Sequence, residues 1–211
     1  MLQQEMLDEL WDVDDLPKTE SRLRVELEQG GPYDDIERAE LKTQLARVIG
    51  LQERYDDAAE MLIEVESENA PVVIARVLLE SGRILNSAGK PADSAPLFLR
   101  SAEIADEAGL VFLRIDALQM LAIATPSNAE HWSALAVELA EASTDYRTRQ
   151  WLISLHDNLG WNHFDSGEFD RALAEFTEAA RWAGLVGTAQ QKQQAQEALA
   201  ECSAATKSDE L

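Results

Sequence analysis

The 211-residue chain has one cysteine, Cys202, so no intramolecular disulfide can form and a reducing compartment is expected. It is also short of bases: 18 Lys and Arg, of which five are Lys, stand against 40 Asp and Glu for a net charge of −22. Such a surface repels phosphate, which argues against nucleic acid and anionic membranes as partners. No apolar run reaches the length of a membrane span. The first eleven residues carry acids where a signal peptide needs a basic region, and a cytoplasmic location is expected. No strand-like alternation of useful length occurs, which leaves an all-α chain. At 45% hydrophobic residues the chain holds enough apolar surface to fold.

The segment from Leu159 to Phe176 is the most telling. It reads as two helices joined at Asp165-Ser166-Gly167-Glu168, with Leu159, Gly160, Ala172 and Phe176 at fixed spacings. Stepping back from Gly160 gives Leu121, Gly82, Ala46 and, faintly, Glu9, at spacings of 39, 39, 36 and 37 residues. Twelve residues after each marker stand Ser21, Ala58, Ser94, Ser133 and Ala172; four further on come Val25, Leu62, Phe98, Val137 and Phe176. A small residue admits the neighbouring backbone and a large one fills the gap, as close helix pairs require.

The spacing predicts a helix near 2–11, another near 17–29, and helix pairs over 33–66, 70–108, 110–143 and 146–183. Gly30-Gly31-Pro32, Gly89-Lys90-Pro91 and Thr125-Pro126-Ser127-Asn128 fall between them as breakers, with Pro71, Pro91 and Pro96 near helix starts. The expected domains are N-terminal capping helices over 1–32, four helix pairs within 33–187, and a polar capping helix with a short tail over 188–211. Trp11, with Leu7 and Leu10, is expected to pack the N-terminal end.

The 159–176 segment resembles a tetratricopeptide repeat, whose pattern is W-x2-L-G-x2-Y…A-x3-F. His156 and His163 stand where that family has Trp and Tyr, and the period exceeds its 34 residues. Leu10-Trp11-Asp12-Val13-Asp14-Asp15 with Pro17 also resembles the opening of uncharacterised bacterial tetratricopeptide proteins. The resemblance implies a right-handed α-solenoid with capping helices, acting as a non-catalytic scaffold or adaptor. It implies that a peptide or helix of another protein binds the concave face of the first helices of each pair.

Projected on the frame, that face carries Arg47, Arg76, Arg83, Asn86, Trp161 and Phe164. Arg presents a rigid fork suited to carboxylates and amides, and the two aromatics offer a platform. The bland alternative is that these arginines pair with neighbouring acids such as Glu40 and Glu80. On the groove reading, Arg83→Ala weakens partner binding with little loss of stability. The alternative functions are a ligand- or peptide-responsive sensor and a homo-oligomer joined through its end caps.

Chemistry is otherwise scarce. His156 and His163 are two turns apart, about 10 Å along a helix, too far to share an ion, and are expected as packing residues. His131 opens a helix and is expected at the surface. Asp12, Asp14 and Asp15 fail as a calcium loop, because its sixth and twelfth positions would be Pro17 and Leu23. They are expected to cap the next helix. Cys202 has no base near it in sequence, and no nucleophile, base and oxyanion set converges. No enzyme activity, metal or cofactor is expected.

Overall fold

A computed structural model describes Leu2, residues 4–66 and residues 68–209. The remaining positions of the expected end segments lie outside the described residues. Eleven α-helices are described: α1 (Gln4–Leu10), α2 (Leu16–Gln29), α3 (Asp35–Leu51), α4 (Tyr55–Ile63), α5 (Pro71–Ser87), α6 (Pro91–Glu107), α7 (Val111–Ala124), α8 (Ala129–Ala142), α9 (Tyr146–Asp165), α10 (Phe169–Val186) and α11 (Ala189–Asp209). A single 3-10 turn, Pro126–Asn128, precedes α8, and no strand occurs among the described residues.

Helix starts follow from local chemistry. Asp34 and Glu37 close a capping box on α3, Asp15 accepts from the Lys18 amide at α2, and Asp145 accepts from the Thr148 amide at α9. Pro71 and Pro91 take the first positions of α5 and α6, where a missing N–H costs nothing. Pro96 is different from expectation: it lies inside α6, where it removes a hydrogen bond to the carbonyl of Ala92. Gly89 and Gly167 adopt φ of +75° and +76° in the α5–α6 and α9–α10 turns, conformations that side chains resist.

Two compact units divide the chain, Met1–Thr125 and Pro126–Leu211. The division falls inside the segment 110–143 that the spacing groups as one pair. In the first unit each helix packs on its successor, and α3, α5 and α7 also pack in series. The second unit repeats the scheme, with α8, α9, α10 and α11 in sequence and α9 against α11. The fold is an all-α helical repeat of solenoid type.

The small-to-large frame is built into both units. A Cβ on Gly82 would meet Phe98 at 2.5 Å, and Phe98 is fully buried. Ala58, Ser94, Ser133 and Ala172 are all buried, as are Val65, Ser101, Ala140 and Ala179 three positions after the large residue. Ser101 donates to the carbonyl of Ala75 across the α5–α6 contact at 2.7 Å.

The frame fails in α2, where Val25 is 42% exposed and Ser21 and Glu28 face solvent. The buried pair there is Thr19 and Leu23, the same i, i+4 spacing displaced by two residues. Thr19 explains the shift, because its hydroxyl bonds the Asp12 backbone in both directions and locks the α1–α2 connection. Leu7 and Leu23 join Leu41, Leu45 and Ile49 in one core, with Trp11 packed against it and donating to Gln44. At the other end α11 lies on α10, burying Ala198 and Cys202 beside Ala172 and Phe176.

Candidate functional site

In the first unit, α5 sets Arg76, Glu80 and Arg83 at intervals of four and three, one stripe of the helix. The stripe lies between α3 and α7, which supply Glu40, Arg47 and Asp116. Three of these groups, Glu40, Glu80 and Asp116, are buried carboxylates. Arg83 bonds Glu80 at 2.5 Å through Nη1 and Asp116 through Nη2. Arg76 Nε stands 3.3 Å from Glu40 Oε2, and the Leu2 amide donates to Glu40 Oε1 at 3.0 Å. Arg47 is held more loosely, with Nη1 3.7 Å from Asp116 and its guanidinium 5.6 Å over the Trp11 ring.

The electrostatics follow from burial first. Burial disfavours the charge on Arg83, but Asp116 and Glu80 outweigh it and hold the guanidinium firmly protonated. Arg47 is shifted the other way, down, by burial and then by the adjacent Arg83 charge. Burial pushes the Glu40 carboxyl up, and Arg76 only partly opposes it. Three carboxylates and three guanidiniums thus share one interior, and none is an isolated charge.

Beside this network lies a cavity of about 340 Å³. Its wall includes Arg47, Gly50, Leu51, Ile84, Ser87 and Met120, mostly apolar with Arg47 and Arg83 along one side. Of the sequence-derived candidates, Arg47, Arg76 and Arg83 are brought together here, and two of them reach the cavity. Asn86 is half-buried on α5 and is not part of that wall.

Trp161 and Phe164 belong to the second unit. Trp161 stands edge-on to Phe164 and Phe176 with ring centroids 5.4 and 5.0 Å apart, and Phe164 stands edge-on to Phe169. Phe164 is therefore committed to this aromatic cluster. Trp161 also borders a second cavity, of about 440 Å³, between α9 and α11.

His156 and His163 are buried, with acidic partners from outside their own helix: His156 Nδ1 contacts Glu175 at 2.7 Å and His163 Nδ1 contacts Glu168 at 2.9 Å. Among the described residues no group of His, Cys, Asp and Glu is placed to hold a metal ion. His131 is exposed and packs its ring against Trp132. Asp12 accepts from Lys18 Nζ, and Asp15 caps α2. Cys202 is fully buried, and burial pushes its thiol up, away from reactivity. No described helix is long and apolar enough to cross a membrane.

Asp116 is the residue that the repeat frame does not point to. Its signal is nevertheless in the sequence: it is the one acid of Val111–Ala124, between Ile115 and Ala117-Leu118. An acid on a stripe that must be buried implies a buried base facing it.

Neither a protein-family model nor a curated protein matches the sequence. Among solved structures the chain is similar to BtubC (BKLC) from P. vanneervenii, at 16% identity and a TM-score of 0.58, covering 91% of this chain and 92% of that one. It is also similar to the apo form of RapI, at 20% identity and a TM-score of 0.57, covering 89% and 78%. Likeness at these identities carries the fold, and the chain is an all-α helical-repeat protein.

Proposed function

We propose that the chain is a non-catalytic interaction module of tetratricopeptide type that binds a peptide or helix of a partner protein. The 340 Å³ cavity beside Arg47 and Arg83 carries the proposal. Its apolar wall suits an inserted aliphatic side chain, and the loosely held Arg47 presents donors to the carbonyl or carboxylate next to it. Arg83 serves differently: bonded to two buried carboxylates, it fixes α5 against α7 and shapes the wall. The repeat fold shared with BtubC and RapI supports an interaction role only in general terms.

The test places a photo-crosslinking amino acid at Ser87, on the cavity wall, and separately at the exposed Ile63. A protein adduct formed from the first position only, and abolished by a folded Ile84→Arg variant, is the expected result. The same adducts from both positions, or persistence in Ile84→Arg, would remove the cavity from consideration.

A further inference from the structure

The groove between α9 and α11 differs in chemistry from the cavity of the first unit. Ile153, Asp157 and Trp161 stand at four-residue intervals on one face of α9. Opposite them α11 presents Ala195 and Ala198, whose short side chains leave the space of about 440 Å³, with Glu197 and Glu201 beside them. Asp157, Glu197 and Glu201 line the groove, and no Lys, Arg or His does.

Three observations favour a cationic side chain over other occupants. First, Trp161 is braced edge-on by Phe164 and Phe176, so its indole is fixed in the groove wall. A fixed indole offers a face to a cation and an apolar bed to its stem. Second, Asp157 is half-buried on the same wall, and the Trp161 indole donates to it. Burial pushes the Asp157 carboxyl up, and no protein cation contributes to its setting. An entering ammonium or guanidinium would supply the missing counter-charge. Third, Ile153, Ala195 and Ala198 give an apolar path for a long methylene stem, and every charged group of the lining is a carboxylate, which opposes an anion even though Ser154, Gln191 and Gln194 add neutral polar groups.

We infer that the α9–α11 groove receives a Lys or Arg side chain of a partner protein, its charged head at Asp157, Glu197 and Glu201 and its stem against Trp161. This site lies in the other unit from the Arg47 cavity and uses opposite charge, so either assignment can fail without the other.

The probe is the blocked tripeptide acetyl-Leu-Arg-Leu-amide, titrated into the full ¹⁵N-labelled chain while the indole N–H resonances are followed. Trp161→Phe assigns the relevant peak. A saturable shift of that peak is expected, absent with the uncharged citrulline analogue. Glu197→Gln/Glu201→Gln changes only exposed α11 positions and is expected to weaken binding by about tenfold. The equal-charge control Glu138→Gln/Glu141→Gln on α8 is expected to change it by less than about twofold. An unmoved Trp161 peak overturns the inference. So does equal weakening by the two double variants, which would mean diffuse attraction to a chain of charge −22. Tighter binding of spermidine than of the peptide would overturn the protein side chain as occupant in favour of a free polyamine.

Discussion

A Cβ on Gly160 would lie 2.5 Å from the Phe176 ring, closer than any real methyl tolerates. The glycine is there because the ring occupies its side-chain space. Gly160→Ala gains about 1 kcal/mol of helix propensity but forces the ring aside at ~1–3 kcal/mol. Gly160→Leu is worse. Phe176→Ala should cost about 3–5 kcal/mol by urea denaturation. In a double-mutant cycle Phe176→Leu should recover part of the Gly160→Ala loss; strict additivity would mean that the two do not share the space.

Arg83 behaves unlike the free recognition fork that its place on the repeat frame suggests. Arg83→Ala leaves Glu80 and Asp116 buried without their shared cation and should lose ~3–5 kcal/mol. Arg47→Ala, at 3.7 Å from its acid and one-third exposed, should lose about 1 kcal/mol or less. Thermal melts of the two variants side by side decide the point. Equal losses would contradict the division into a structural and an available arginine.

The Asp157 carboxyl titrates above its ordinary value because burial disfavours its charge. A group raised in the folded state costs stability when ionised and returns that stability as pH falls through its folded value. Asp157→Asn should therefore raise the melting temperature at neutral pH. The advantage should vanish once the pH is below the ordinary carboxylate value of about 3.9. An advantage constant across the acid range would exclude burial of the charge as its cause.

Asp145 runs in the opposite sense. Hydrogen bonds from Thr148, side chain first and then backbone, hold its carboxyl below the usual range at the start of α9. Its stabilising effect is present above the ordinary value and lost as pH falls through the lowered one. Asp145→Ala should cost about 0.5–2 kcal/mol at neutral pH, and the gap to the parent chain should close in acid. A gap independent of pH would mean that the cap acts through shape alone.

Helix order was legible because each pair repeats one steric device, small then large, and because Gly and Pro mark the turns. The device shows through wherever burial decides the residue, as at Gly82 and Phe98 or Gly160 and Phe176. It misleads in α2, where Thr19 is fixed by a polar bond to Asp12 and displaces the register by two. Periodicity carries no record of such a bond. Position on the repeat frame points to the arginines, but their partners depend on which helix faces which, and Asp116 lies 33 residues from Arg83. Phe164 shows the same limit from the other side: its spacing fits a surface platform, and only tertiary packing turns it onto Phe169.

The two glycine–phenylalanine contacts have a consequence for assembly. Gly82 with Phe98 and Gly160 with Phe176 have the same separation and nearly the same clearance, so the fit alone cannot tell a correct helix hairpin from one that crosses Gly82 with Phe176. Chain entropy makes the choice. The crossed pair closes a loop nearly six times as long, a disadvantage of about 1.6 kcal/mol that the short turns at Gly89 and Gly167 preserve. Lengthening either turn erodes that margin and exposes the chain to hairpins exchanged within it or between molecules.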